Sequence, residues 1–486
     1  MLIAHDLGTT GDKASLHEDD GRLLRAVTVS YPAHFGDGGF AEQDPQVWAD
    51  AVLEATARLL RTVGADPATV RGLVISGQMM GAVLLDQHLR PVRPAIIWAD
   101  TRAEEQAHRL ADRLGEQEAY ELLGHRVDPT YSLEKIMWVR DHEPEVFART
   151  RHVCLAKDYV VAHLTGRLAT DRSDASSTNA YDQRAGTWST RVLEAAEVDA
   201  ELFPEILEAT DVVGTLTPHA ARETSLPTST PVMMGGGDGP IAAVGAGVVG
   251  PDDGAYVCLG TSSWVSFATA APVLDPQRRT FTFDHVVPGR YVPTATMQAA
   301  GASAEWIHEL LTPEPGPDTL GALARSAAEV DPGELVFLPY LLGERSPHWD
   351  PSARGAFLGI GRHHGRAHMM RAVLEGVAFT LGECLEAFEE LGHRFEHIDA
   401  VGGGAQSDAW LQIMADVWGV PVRRRSVVEE ANSLGAAVVA GVGLGLVDGF
   451  DAARGLSSVV AEFTPDAHRH ECSTERAARF RDAYTA

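Results

Sequence analysis

The hexapeptide Asp6-Leu7-Gly8-Thr9-Thr10-Gly11 returns as Cys258-Leu259-Gly260-Thr261-Ser262-Ser263, displaced by 252 residues in a chain of 486. Each copy closes an apolar run that reads as a strand. An echo at about half the chain length implies two related halves, each with a strand, a glycine turn and a pair of hydroxyls. A ligand held between the halves would meet both turns. The expected division is near residue 245, giving units 1–245 and 246–486.

The intervening sequence sets the class. The runs LIAHDLG, PQVWADAVLEATARLLRTV and VRGLVISG alternate short β-branched segments with a long helical one, the rhythm of an α/β protein. Asp44 before Pro45 is a helix start: the carboxylate caps free amides and proline takes the first helical position. Val47, Val52, Leu59 and Val63 are expected to form that helix's buried face. No linker or low-complexity tract separates the halves, so they should pack closely.

Charge narrows the ligands. With 40 Lys and Arg against 68 Asp and Glu, the chain carries a formal charge of -28 and has no basic block. Nucleic acid and anionic membrane are therefore excluded as expected partners. A phosphate-bearing ligand must be held locally, by backbone amides, a metal ion and a few cations. The 4 cysteines, Cys154, Cys258, Cys384 and Cys472, lack metal-ligand spacing and suit a reducing compartment. No leader opens the sequence, and the longest uncharged apolar run, LGAAVVAGVGLGLV, is too short to span a bilayer. A soluble, cytoplasmic protein is expected.

Three glycine stretches carry candidate chemistry. In the opening turn, Gly8 and Gly11 permit a sharp bend, Thr9 and Thr10 offer hydroxyls and Lys13 a cation, while Asp6 suits Mg2+. A plain hairpin satisfies the same residues. In PVMMGGGDGPIAAVGAG, Asp238 leaves a strand where α/β folds place ligands, and fits either a general base for a hydroxyl or a helix cap. In IDAVGGGAQSDAWLQIMADVWG, Gly403 and Gly404 would let a flat nucleotide base lie on bare backbone, or simply make a tight turn. The first-half counterpart of this stretch is GLVISGQMMG, which brings Gln78, Met79 and Met80 to the matching edge. GAGVVG at 245–250 fits a dinucleotide fingerprint in spelling only, because it follows a helix. His363, His364, His368, His468 and His470 have no zinc spacing, and no structural metal is expected.

These motifs, in this order, resemble the FGGY carbohydrate kinases: DLGTTGDK, GQMMG, GGGDG, LGTSS, FLPYLLGERSPHWD and GGGA. The run Gly355–Gly376, GAFLGIGRHHGRAHMMRAVLEG, is similar to that family's second signature throughout. AEQDPQVWADA, RPAIIWADTRAEEQ and LAKDYV are most similar to its xylulokinase branch. The resemblance implies two actin-like (ribonuclease H-like) domains, each a mixed central sheet with flanking helices, around an interdomain cleft. Sugar would bind 1–245 and ATP 246–486. Asp238 would be the catalytic base and, with Asp6, a magnesium ligand; Thr9, Thr10, Lys13, Gly260 and Thr261 would serve the phosphates, and Gly403, Gly404 and Asp408 the adenosine. Gln78, Met79, Met80, Asp100, Arg102 and Asp238 would be sugar-side.

The implied reaction is ATP-dependent phosphorylation of a small open-chain sugar, D-xylulose to D-xylulose 5-phosphate, in a protein that as a homodimer would also fit the family. Two departures bear on the substrate: Met80 stands where xylulokinases have histidine, and Gly239 where they have asparagine. Both fall on hydroxyl-reading positions, which discriminate steeply. Another ketose (ribulose, or one like fuculose or rhamnulose) or a pentitol or tetritol is therefore an alternative acceptor. A non-catalytic actin-like ATPase or chaperone shares the opening turn but not the sugar-side motifs.

Overall fold

The computed structural model describes residues 1–428 and 430–485. The chain opens with β1 (Leu2–Leu7), β2 (Gly11–His17) and β3 (Leu23–Ser30), then α1 (Pro45–Val63) and β4 (Gly72–Gly77). After a helical lobe come β5 (Val212–Thr215) and β6 (Pro231–Gly237), which runs directly into α2 (Asp238–Gly245). The second half holds β7 (Ala255–Leu259), β8 (Ser263–Phe267), β9 (Phe281–Asp284), β10 (Tyr291–Met297) and α3 (Arg366–Glu390). It ends with β11 (Ile398–Val401), α4 (Asp408–Trp418), β12 (Val422–Arg425), α5 (Ala431–Gly443), β13 (Val459–Phe463) and a final helix, Ala467–Thr485.

The first sheet is ordered β3-β2-β1-β4-β6-β5 and the second β9-β10-β8-β7-β11-β12-β13. Without β9 the two superimpose strand for strand. In each, a leading hairpin is antiparallel, the next two strands are parallel to it, and the last reverses. The sequence echo is the turn of the matching hairpins.

Strand alternation decides what each half presents to the other. On β1, Ile3, His5 and Leu7 face α1, where Ile3 and Leu7 join Trp48, Val52 and Leu59 in one core. Leu2 and Ala4 face the other way with Val74, Met233 and residues 436–440 of α5. A helix from the second half thus covers the first sheet. Reciprocally, Ala243 of α2 packs with Tyr256 and Val401 of the second sheet. The two helices cross at bare backbone: a Cβ on Gly245 would lie 1.6 Å from the Ala431 carbonyl oxygen, and one on Gly435 2.0 Å from that of Ile241. The glycine that begins GAGVVG is needed for this crossing.

Local expectations need two adjustments. Asp44 caps α1 through the Gln46 amide, but Val63, in the last turn before the left-handed Gly64, is 40% exposed, and Trp48 takes its place in the buried stripe. The signature run at 355–376 is a packing device at its end. Glu375 is buried between Arg371 and Arg476, both at 2.8 Å, pinning the final helix onto α3, and a Cβ on Gly376 would meet the Phe337 carbonyl oxygen at 2.2 Å. Among the described residues no helix is long and apolar enough to cross a membrane.

Candidate active site

Asp238 reaches the cleft because β6 bends before it. Gly235 sits at φ +69° beside the register shift between Met233 and Gly236, where a Cβ would fall 1.8 Å from the Ile75 carbonyl oxygen. Only glycine fits there. Gly237 is then the cap and Asp238 the first residue of α2, so Asp238 is not itself the cap; its carboxylate accepts the Gly239 amide at 2.9 Å. The strand end is held from behind. The Gly237 amide donates to the Ser173 hydroxyl at 2.9 Å, Ser173 donates to Asp171 at 2.5 Å, and Asp171 lies 3.2 Å from Lys157. Lys157, fully buried, also pairs with Asp158 at 2.7 Å and Asp174 at 3.3 Å.

Asp6 occupies the cleft face of β1, opposite Lys13 in the hairpin register. Its Oδ1 accepts the side-chain amide of Asn432, at the start of α5, at 2.9 Å. Burial pushes the Asp6 carboxyl up to about 6, against the pull of Lys13. Burial, and then the Asp6 charge, pushes Asp238 up to about 7. Two half-buried acids, one of which raises the other, suit a hard cation. Among the described residues no group of three metal-binding side chains exists, but Mg2+ characteristically takes one or two carboxylates with phosphate oxygens and water, and this donor set fits it. In the second hairpin the place of Asp6 is taken by Cys258, whose thiol burial pushes up to about 12.

The opening turn is both a hairpin and a rim of the cleft. Gly8 donates to the Gly11 carbonyl at 3.0 Å, closing the turn. Gly11 answers to β3 rather than to the bend, since a Cβ there would meet the Val29 carbonyl oxygen at 2.9 Å. Thr10 is exposed, while the Thr9 hydroxyl accepts the Trp98 indole N–H at 2.8 Å. Gln78 is only 3% exposed; its amide donates to Gln43 at 3.0 Å and to the Gly8 carbonyl at 3.5 Å, bracing the turn from beneath.

A pocket of about 160 Å³ lies between the halves. Met79, Met80, Trp98, Asp238 and Gly239 form one wall, and Tyr256, Trp264, Phe281, Phe283, Thr294, Thr296 and Arg345 the other. Met80 adopts φ +62°, a strained conformation for a side-chain-bearing residue, and its carbonyl accepts the buried Lys135 ammonium at 2.8 Å. A Cβ on Gly239 would touch only the Met79 sulfur, at 3.8 Å. Asp100 and Arg102 are not in this wall. They pair at 2.7 Å, Asp100 accepts the Ala41 amide at 2.6 Å, and Arg102 lies over Phe40 at 3.7 Å. Both side chains spend their charge on each other and on the loop before α1.

A larger cleft of about 900 Å³ opens on the other side of the second hairpin turn. It gathers Gly260, Thr261, Gly403, Gly404 and Asp408, with Arg424 and the helices Gly301–Leu311 and Pro317–Ala328 around them. Thr261 is exposed to it, and Gly403 faces open space. Gly402, at φ +85°, makes the turn beside the Leu259 carbonyl. Asp408 is paired with Arg424 at 2.5 Å. Ser262 lines the acceptor pocket and Thr261 the cleft, so one turn borders both. Trp98 falls within RPAIIWADTRAEEQ and Arg345 within FLPYLLGERSPHWD, where nothing local marks either as a site residue, and Asn432, Trp264 and Tyr256 lie outside the motifs.

Comparison with known proteins agrees with this layout. The family model for the N-terminal domain of the FGGY family of carbohydrate kinases matches residues 1–245, and that for the C-terminal domain matches 255–444. The xylulose kinase of Bacillus subtilis (strain 168) is 34% identical over 445 residues, 91% of this chain and 88% of its own. That of Escherichia coli (strain K12) is 33% identical over 487 residues, 100% of this chain and 98% of its own. The crystal structure of xylulose kinase from Rhodospirillum rubrum superimposes with a TM-score of 0.91 at 31% identity, covering 99% of this chain and 98% of that one.

Proposed function

The chain belongs to the FGGY family of carbohydrate kinases, and from that premise we propose that it transfers the γ-phosphoryl group of ATP to the C5 hydroxyl of D-xylulose. The observation that carries this reading is the place of Asp238, half-buried at the head of α2 in the wall of a pocket that also includes Ser262 of the second hairpin turn, the turn that presents Thr261 to the 900 Å³ cleft.

In this reading Asp238 accepts the proton of the attacking hydroxyl. Phosphoryl transfer has a loose transition state, so the proton leaves late and a carboxylate is base enough. Thr9, Thr10, Lys13, Gly260 and Thr261 meet the phosphates from the two turns, and Gly403, Gly404 and Asp408 flank the adenosine. Asp6 and Asp238 would hold Mg2+, which when bound neutralises phosphate charge that a chain at -28 otherwise repels. Asn432 fixes the Asp6 carboxylate from the opposite half. Met79 and Met80 contact the sugar, while Gln78 acts through the opening turn and Asp100 with Arg102 through the loop before α1. Closure of the halves excludes water that would otherwise take the phosphoryl group.

Met80, and the open space at Gly239, favour a second reading in which the acceptor is another ketose or a pentitol. Coupled ADP release with MgATP against pentuloses, hexuloses and pentitols tests both, with Asp238→Asn as the blank. Turnover confined to D-xylulose supports the first reading and turnover on another sugar the second. Sugar-independent ATP hydrolysis that survives in Asp238→Asn would reject both.

A further inference from the structure

Arg345 lies in the stretch FLPYLLGERSPHWD and enters the acceptor pocket from the second half. Its Nη2 is buried without a hydrogen-bond partner, and among the described residues its guanidinium makes no ion pair. Its neighbours are the rings of Phe281 and Trp349, each 5.7 Å away. The adjacent acid forms no ion pair with it among the described residues: Glu344 Oε1 accepts the Arg345 and Gln298 backbone amides at 2.8 and 2.9 Å. The Tyr131 hydroxyl, packed with Met79, Phe281 and Phe283, is also buried and unpartnered. A buried cation and hydroxyl left unpaired are costly unless a ligand completes them.

Their position identifies which part of the ligand. The Gly239 carbonyl rests 3.3 Å from the Tyr256 hydroxyl on β7, whereas Phe281, beside Arg345, is on β9. Three strand spacings separate β7 from β9, on the order of 14 Å. Asp238 and Arg345 line the pocket from opposite halves, and an extended sugar fits between them. A guanidinium fork pairs best with two adjacent oxygen acceptors.

We propose that Arg345 is a specificity-determining residue that binds the two adjacent oxygens at the acceptor's end remote from the transferred phosphoryl group, selecting the hydroxy-ketone of an open-chain ketose over the corresponding pentitol. This rests on the sugar-kinase reading. The shared chemistry would also suit the carboxylate of an aldonate.

The test measures sugar binding without nucleotide, by the fluorescence of the pocket residues Trp98 and Trp264, alongside steady-state kinetics. Arg345→Ala should weaken D-xylulose binding about 10- to 100-fold, as loss of a charged hydrogen bond does. It should leave xylitol binding and the KM for ATP within about 3-fold, and Arg345→Lys should recover part of the loss. If D-gluconate binds the wild type more tightly and loses more in Arg345→Ala, the contact stands with a carboxylate as its ligand. Unchanged D-xylulose binding, equal weakening of ketose and pentitol, or no binding of any of these by the wild type overturns the proposal. Sugar binding that needs Arg345, without turnover on any sugar, would reject the kinase reading instead.

Discussion

Replacing Lys157 by methionine probes the support beneath Asp238. The ammonium is wholly buried, with carboxylates at 2.7, 3.2 and 3.3 Å. Burial lowers its proton affinity, but the three acids together raise it above that of a free lysine. Removing one partner of a buried ion pair typically costs about 3–5 kcal/mol. For a folding unit of about 250 residues that is a melting temperature lower by about 6–20 °C. The loss should depend on pH. Burial already raises the carboxyls of Asp158 and Asp174 above their usual range. Without the lysine they rise further, so the folded variant holds more protons than the unfolded chain and its stability falls as pH rises. Calorimetry at pH 5.5 and 8 should show the larger deficit at pH 8, and Lys157→Met/Asp174→Asn should recover part of it. Because Asp171 also fixes Ser173, and Ser173 the Gly237 amide, kcat should fall by up to about 10²-fold, the cost of a displaced reacting group. A shift under about 2 °C at both pH values, with kcat unchanged, would refute the reasoning.

Gly403→Val should raise the KM for ATP more than about 10-fold at an unchanged melting temperature, since the position has room for a side chain but faces the 900 Å³ cleft proposed to take the nucleotide. Glu344→Gln should raise the melting temperature at pH 8 and leave it unchanged at pH 4.5. Burial, countered by Arg345 and reinforced by Glu383, pushes the Glu344 carboxyl up to about 8, so the wild type loses stability as pH rises from about 4.5 to 8, and glutamine keeps the same amide contacts. Met80→His, alone and with Gly239→Asn, should raise kcat/KM on D-xylulose if those two positions limit ketose recognition; the double variant should fold, because only the Met79 sulfur borders Gly239. Steady-state kinetics over the sugar panel would show no gain if other residues set the preference.

The repeated hairpins were legible because a strand, a glycine turn and two hydroxyls leave a local imprint that survives 252 residues of separation. The glycines of GGGDG and GGGA were equally visible, and their conformations at Gly235 and Gly402 explain them. Side-chain direction was less so. Gln78, Asp100 and Arg102 lie in motif positions, yet nearer partners claim them: Gln43, the Ala41 amide and one another. Asn432 left no mark, and Arg345 lies inside FLPYLLGERSPHWD with no local sign of its role, because a lone polar residue at a helix start or in a loop acquires meaning only when the other half arrives. Trp98 and Trp264 carry no site signal in the sequence, since an aromatic lining a pocket and one facing a core look alike there.

The exchange of helices between the halves bears on how the molecule can move. With α5 lying on the first sheet and α2 reaching the second, each half supplies one of two rods that cross between them. Gly245 and Gly435 bring the two rods together with no side chain between them, so the halves meet there at bare backbone. Asn432 rides on one rod and Asp238 begins the other. The two groups therefore sit on elements that pack backbone to backbone, and a side chain inserted at Gly245 or Gly435 would displace one relative to the other.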